Sequence, residues 1–212
     1  MKKYFEFNRR NGYLSNVSYV MAEWISHVFN PAVIACAILL WRAWIISVPY
    51  PVLILLLCFY VFIPAGSVLV MLYTNRINSI YPKRRKQREK LLVIGLFSYG
   101  VGWLIAYKIG IDSFLLSLAL VFVLSTLVVL YINRYWMISI HCVGVAAAVT
   151  LVVSVSEGGI LYGILPVALI TWARLYLRAH TLSQVLVGLV LGAIVGGVAL
   201  LKITGNIDDA IL

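Results

Sequence analysis

The feature that most constrains this chain is a series of apolar runs, each about twenty residues long and almost free of charge. The run at 113–132 is rich in Leu, Val and Phe, and its polar residues are mostly Ser and Thr. A helix of about 20 such residues crosses the roughly 30 Å hydrocarbon core of a bilayer. In the whole chain 63% of the residues are hydrophobic and 11% are charged, whereas soluble domains have about 45–50% and about 25%. The sequence therefore predicts an integral membrane protein.

Backbone polar groups in hydrocarbon must be hydrogen-bonded internally, which a helix achieves within one segment. We therefore predict an all-α fold, a polytopic transmembrane helix bundle with six to seven spans. The predicted spans cover about 24–46, 52–73, 91–109, 113–132 and 142–155, then a sixth that ends at Arg174 and a seventh at about 181–203. Residues 1–20 are predicted to form a basic, aromatic interfacial segment, and residues 21–212 a single transmembrane domain.

Two patterns inside these spans predict local geometry. Pro64 lies in the middle of the second span and predicts a kink there. In the last span, Gly188, Gly192 and Gly196 recur every four residues. This spacing places them on one face of a helix, where their small size allows another helix to approach closely.

The stretch at 75–90 is the most polar part of the chain and holds seven basic residues and one acid, Glu89. It contributes to a net charge of +10. Basic residues between apolar spans favour a cytoplasmic loop in contact with anionic lipid head groups, and they do not indicate nucleic acid. Cys36, Cys58 and Cys142 lack metal-ligand spacing, which predicts free thiols and neither a disulfide nor a zinc site.

A second ionisable cluster, from Arg174 to Gln184, lies between the last two spans. It contains His180, one of three histidines, just before the last predicted helix. Free amides at a helix start favour an anion. Another histidine, His141, begins the fifth span. Because two spans separate the basic loop from His141, and two more separate His141 from His180, we expect all three to reach one face of the membrane.

Histidine is the side chain that attacks phosphorus or moves a proton near neutral pH. Arginine and lysine hold phosphoryl oxygens, because phosphoryl transfer depends on positioning and charge stabilisation. After the first span, the expected catalytic face carries a single acid, Glu89. The residues therefore favour a route without a metal ion or another cofactor.

The spacing of these residues is similar to that of a known family. Arg174, five residues, His180, three residues and Gln184 resemble the third signature of the type 2 phosphatidic acid phosphatase superfamily, Ser-Arg-x5-His-x3-Asp. Ser139-Ile-His141 looks like its second signature, Pro-Ser-Gly-His. The basic loop stands where the first, Lys-x6-Arg-Pro, belongs. The resemblance covers roughly residues 50–205 and implies a membrane lipid phosphatase with a vanadium haloperoxidase-like histidine phosphatase core.

The resemblance implies a role for each matched residue. His180 would be the nucleophile that forms a phosphohistidine, His141 the general acid and base, and Gln184 the partner of the nucleophile. The implied phosphate-binding residues are Lys83, Arg84, Arg88, Ser139 and Arg174. His27 is interpreted as structural, and Arg178 as a side chain that reaches lipid head groups.

Four positions depart from the signatures, since Ala173, Ile138, Ile140 and Gln184 replace Ser, Pro, Gly and Asp. Gln184 has two interpretations. In Thr181-Leu-Ser-Gln184 it completes a capping box and bonds the Thr181 backbone amide. Alternatively its carbonyl accepts the Nδ1 proton of His180, as the Asp would, but without a negative charge. Both interpretations are open on the sequence.

The sequence thus predicts an enzyme that removes a terminal phosphate from a lipid phosphate or a prenyl diphosphate. A catalytically silent lipid-binding relative is the alternative, because Gln replaces Asp. A small transporter is less favoured, since the ionisable residues cluster at a boundary and not at the midplane, where transporter sites lie.

The predicted location is the inner cell membrane. By the span count, fourteen of the seventeen Lys and Arg residues lie on the catalytic face, which predicts a cytoplasmic active site. Many members of the family face outward instead. Neither the exact lipid nor the oligomeric state follows from the sequence.

Overall fold

The computed structural model describes residues 13–82, 84–156 and 160–208. Within these ranges the chain is helical, without strands, which confirms the predicted all-α class. The eight helices are α1 Tyr13–Val28, α2 Pro31–Ile45, α3 Tyr50–Tyr73, α4 Arg85–Ile109, α5 Ser113–Asn133, α6 Ile140–Val155, α7 Ile160–Tyr176 and α8 Leu182–Asp208.

The helices have the length and composition of membrane spans to different degrees. Among the described residues, α3, α4, α5 and the Leu182–Leu201 part of α8 are each long and apolar enough to cross a bilayer. The helices α1 and α2 qualify only as a pair, and they are bent by 53° at the break between them. The apolar helices α6 and α7 are shorter. Length and composition therefore support four spans, or five if the bent pair counts as one.

The first predicted span is broken, and its boundary with the N-terminal segment differs from the prediction. Residues 13–20, expected to be interfacial, already belong to α1, while 1–12 lie outside the described residues. Asn30 ends the continuity, because its side chain accepts a hydrogen bond from the Ala32 amide at 2.9 Å and caps α2. Pro31 follows at the first helical position, where its missing N–H costs nothing.

The irregularity expected at Pro64 is a π-helical turn at Cys58–Phe62 within α3. Proline has no N–H to donate to the preceding turn, so carbonyl groups there need other partners. The carbonyl of Phe59 accepts a bond of 2.6 Å from the Ser98 hydroxyl of α4. The π turn thereby connects α3 to α4.

The basic stretch at 75–90 is only partly a loop, because α4 begins at Arg85. Lys, Arg, Gln and Glu all favour helices, so the polar residues at 85–90 extend the third predicted span, 91–109, toward its N-terminus and form α4 with it. The stretch therefore presents its basic side chains on the first turns of a helix.

At the opposite end of the bundle an ion pair connects α2 to the turn between α4 and α5. Arg42 donates to both carboxylate oxygens of Asp112, at 3.0 and 2.8 Å. Asp112 also caps α5 through the Leu115 amide at 3.2 Å. Burial raises the pKa of Asp112, but the bonds from Arg42 and the backbone outweigh it and leave the pKa below its usual value.

The predicted glycine face is the contact between α8 and α6. A Cβ at Gly192 would overlap the Val143 carbonyl oxygen, and one at Gly196 would lie 2.8 Å from the Thr150 Cβ. A Cβ at Gly188 would lie 3.0 Å from the Ser139 carbonyl oxygen. The backbones approach because these positions lack side chains.

Gly192→Ala should lower the free energy of unfolding by about 1–3 kcal/mol, because the new methyl group meets backbone atoms that cannot move aside. The matched control is Gly197→Ala, where a Cβ meets nothing within 4 Å and alanine is the better helix former. Thermal unfolding in detergent should therefore show a lower midpoint for the first variant only. A Gly192→Ala protein as stable as wild type would contradict the packing described.

Candidate active site

Four of the residues predicted to act on a phosphate line one cavity of about 810 Å³. They are Arg88, His141, Arg174 and His180. The cavity lies at the end of the bundle where α4, α6 and α8 begin and α7 ends. The structure therefore brings together side chains that are up to 92 positions apart, between Arg88 and His180.

The turn between α7 and α8 positions His180. The Ala179 amide bonds the Arg174 carbonyl at 3.1 Å, and the Arg178 amide bonds the Leu175 carbonyl at 2.9 Å. This is the Schellman pattern that ends many helices, and it requires a left-handed residue after the last turn. Arg178 takes that role with φ of 49°, a conformation that costs a non-glycine residue about 1–2 kcal/mol. His180 follows two residues after Arg178 and lines the cavity.

Both interpretations of Gln184 hold at once. Its Oε1 accepts the Thr181 amide proton at 3.0 Å, and its own amide bonds the Thr181 hydroxyl at 3.4 Å, which together form a capping box. The same Oε1 lies 3.2 Å from Nδ1 of His180. Because Oε1 is a carbonyl oxygen and carries no proton, Nδ1 must be the donor. Gln184 therefore holds the ring with its proton on Nδ1.

His180 is uncharged at neutral pH. Burial is the main cause that lowers the pKa of His180 to about 4, and the charges of Arg174 and Arg88 lower it further. Hydrogen bonds to Gln184 and to the Met137 backbone oppose this shift without cancelling it. Since an ordinary histidine titrates near pH 6.5, His180 presents a neutral ring with an unprotonated Nε2, the form that a nucleophile needs.

Arg174 is buried, with 6% of its surface exposed. Its Nη1 lies 3.4 Å from the Ser26 hydroxyl of α1, and its guanidinium carbon lies 5.9 Å above the centre of the Tyr81 ring. Its Nε has no hydrogen-bond partner. The side chain is thus fixed against α1 and the 74–84 loop while one donor stays unused.

The three basic residues predicted in the loop have different positions. Arg88 lies on α4, is 8% exposed, and donates to the Ile138 carbonyl. Arg84 precedes α4, is exposed, and does not line the cavity. Lys83 lies outside the described residues. Arg88 is therefore the loop-side cation that the structure places beside His180.

The two residues of the second predicted motif, Ser139 and His141, also differ in position. His141, on the first turn of α6, is 6% exposed and lines the cavity, and its Nε2 has no hydrogen-bond partner. Ser139 is fully buried, caps α6 through the Cys142 amide at 3.5 Å, and does not line the cavity. Its amide bonds the Gln184 carbonyl at 3.3 Å. Ser139 thus connects α6 to α8 and, unlike His141, does not line the cavity.

Sequence reasoning missed a polar cluster formed by His27, Asn30 and Tyr81. The Tyr81 hydroxyl lies 3.0 Å from Nδ1 of His27 and 3.3 Å from Nδ2 of Asn30. The Tyr81 ring packs edge-on against His141, with 5.2 Å between the ring centres. All three histidines of the chain therefore line the same cavity. The sequence signal that could have linked His27 to the site is that the chain has just three histidines.

The cavity contains unused hydrogen-bonding capacity. Among the described residues, Nε of Arg88, Nε2 of His141 and Nε of Arg174 are buried and have no partner. Buried polar groups are normally satisfied, so an anion with several oxygens would suit two arginine donors and a histidine. No group of three His, Cys, Asp or Glu side chains in the described ranges has the geometry to hold a metal ion.

Comparison with known proteins adds no relative. No family model, no curated protein and no solved structure matches the chain.

Gln184→Glu should raise the pKa of His180 by roughly one pH unit or more, because a carboxylate at the same reach favours the imidazolium. The capping box is kept, since Glu also bonds the Thr181 amide. The measurement is an NMR titration of the labelled histidine rings in micelles. Ser183→Glu is the matched control, because it adds the same charge at an exposed neighbour. Equal shifts in the two variants would contradict a direct bond between His180 and Gln184.

Proposed function

We propose that this protein is an integral membrane lipid phosphatase that acts on a lipid phosphate or a prenyl diphosphate through a phosphohistidine. The observation that carries the proposal is the cavity in which a neutral His180 faces two buried arginines with unused donors. A phosphate group in the cavity lies beside these two positive charges and presents phosphorus to the histidine. The resemblance of Arg174, His180 and His141 to the type 2 phosphatidic acid phosphatase signatures supports the same conclusion.

In the first step Nε2 of His180 attacks phosphorus, and the bond between phosphorus and the lipid oxygen breaks. Arg88 and Arg174 hold the nonbridging oxygens and stabilise their charge, as charge-assisted bonds do in phosphoryl transfer. His141 donates a proton to the leaving oxygen. Burial and the neighbouring arginines disfavour a protonated His141, and the negative charge of the bound phosphate acts in the opposite direction.

In the second step water attacks the phosphohistidine, and His141 takes the proton of that water. The bond between phosphorus and His180 breaks, so both histidines return to their starting state. The products are inorganic phosphate and a lipid alcohol, or a prenyl monophosphate when the substrate is a diphosphate. The chain supplies charge stabilisation through arginines, and the proposed route uses no metal ion.

The proposal includes a topology. If the bent α1–α2 pair forms one broken span and each of α3 to α8 crosses once, the chain has seven spans. The cavity then lies at the membrane face that carries the 74–84 loop and the basic first turns of α4. By the positive-inside rule that face is cytoplasmic, and in a bacterial cell the membrane is the inner one.

The phosphohistidine is testable with a prenyl diphosphate that carries radioactive phosphate at its end. The leaving group of this substrate is a prenyl monophosphate, which needs little protonation, so the first step should not depend strongly on His141. Hydrolysis of the phosphohistidine should be slow in His141→Ala, and this variant should therefore accumulate labelled protein whose label is lost in acid. His180→Ala should carry no label and release no phosphate.

Three results would contradict the proposal in different ways. Labelling or turnover by His180→Ala equal to wild type would exclude this nucleophile. A wild type inert toward both lipid classes would exclude the enzyme, and activity that appears only in Gln184→Asp would favour the catalytically silent lipid-binding relative.

Arg88→Gln should reduce kcat/KM by about a hundredfold, since a buried hydrogen bond to a charged group contributes roughly 1.5–3 kcal/mol. Arg84→Gln removes the same charge from an exposed position outside the cavity and should change kcat/KM by less than about threefold, as expected of surface charges. Phosphate release at varied substrate fraction in detergent measures both. Equal losses in the two variants would show that charge alone, not position, determines the effect.

A further inference from the structure

A second concave surface lies between α3 and α4, outside the catalytic cavity. It has a volume of about 840 Å³ and combines apolar walls with a charged rim. Its walls include Ile63, Val70, Val93 and Ile94, and its rim includes Arg76, Lys86, Glu89 and Lys90. We call this surface the α3–α4 groove. Ser67 is the one residue that lines both the groove and the catalytic cavity.

The charges on the rim are available to a ligand. Among the described residues, the one ion pair joins Arg42 to Asp112. Neither Lys86 nor Lys90 lies within ion-pair distance of Glu89. The rim thus presents three cations against one carboxylate. Lys86 and Lys90 also lie on the first turns of α4, where the helix dipole disfavours positive charge. Arg84, the residue before α4, does not cap the helix with its side chain. Free backbone amides at the start of α4 therefore add to the attraction for an anion.

The walls below the rim face outward and are apolar. Val70 and Val93 are each more than half exposed, at 61% and 51%. Exposed apolar side chains on a candidate membrane span contact lipid chains. A lipid chain gains little by moving from bilayer to groove, because both are hydrocarbon. Selection in the groove therefore depends on the head group, and the charge of the rim favours a negative one.

We propose that the α3–α4 groove binds a membrane lipid with an anionic phosphate head group, and that this lipid reaches the catalytic cavity past Ser67. The head group contacts Lys86, Lys90 and Arg76, and one chain lies along the walls. The role as an access route rests on the proposed function, whereas binding of an anionic lipid does not.

The position of Ser67 suits such a route. Its side chain is small, and its hydroxyl already bonds the Pro64 carbonyl at 2.7 Å within α3. It lies on the turn that follows Pro64, next to the π turn at Cys58–Phe62. Where the groove meets the catalytic cavity, the shared residue is Ser67, whose short side chain already has its hydrogen bond within α3. A bulky replacement of Ser67 should therefore separate the groove from the cavity.

Binding is tested by native mass spectrometry of the detergent-solubilised protein with phosphatidate or phosphatidylcholine of the same chain length. Lys86→Gln/Lys90→Gln should weaken phosphatidate binding by about 25-fold, since each basic residue near an anionic head group contributes about 1 kcal/mol. The matched control is Arg85→Gln/Arg134→Gln, which removes two exposed charges from the same end of the bundle outside the groove. Equal losses in the two double variants, or no preference for phosphatidate, would overturn the proposed site.

The access route is tested with Ser67→Trp and with the control Ala65→Trp, an exposed α3 position that lines neither surface. Ser67→Trp should slow hydrolysis of a long-chain lipid phosphate by about tenfold or more, equivalent to about 1.4 kcal/mol. Hydrolysis of a short-chain, water-soluble phosphate ester, which does not need the groove, should slow by a clearly smaller factor. Equal effects on both substrates would overturn the route. If wild type hydrolyses neither ester, the proposed function fails, while the lipid-binding measurement still decides the groove.

Discussion

The close contact between α6 and α8 is the interaction on which the candidate site depends. In a membrane, two helices gain little from the hydrophobic effect by associating, so their contact relies on dispersion and on how near the backbones come. Gly188, Gly192 and Gly196 permit that approach against Ser139, Val143 and Thr150. It places the first turns of the two helices side by side. His141 on α6 and His180 beside α8 consequently reach one cavity, within electrostatic reach of each other.

Around that contact, the site concentrates positive charge where charge is costly. Arg88 and Arg174 are buried close enough to repel each other, and no carboxylate in the described residues forms an ion pair with either. Uncompensated buried charge is unfavourable unless a partner completes it. The proposed phosphate is such a partner. The α3–α4 groove has the same sign of charge but keeps it exposed, which suits a first contact with a lipid head group better than catalysis.

Much of the architecture was predictable because hydrophobic length and glycine spacing are local properties. The helices α3, α5 and α6 lie close to the predicted spans, and the glycine face was found from its four-residue period. The break at Asn30 was missed, because an N-cap followed by proline is a short signal inside a long apolar run. The start of α4 was missed because a basic stretch is compatible with both a loop and a helix, and contacts such as that between Arg88 and the Ile138 carbonyl lie beyond local sequence.

For the site, the sequence by itself determined the chemical types and the spacing of Arg174, His180 and Gln184, since all three lie in one short stretch from the end of α7 to the start of α8. Only the tertiary structure decided which distant groups join them. Arg88 lies in the cavity, whereas Arg84 is exposed outside it. Ser139 caps a helix, and His27 and Tyr81 join the site from segments without a motif. The physical reason is that burial and hydrogen-bond partners arise from how helices pack, and one sequence does not encode that packing as a local pattern.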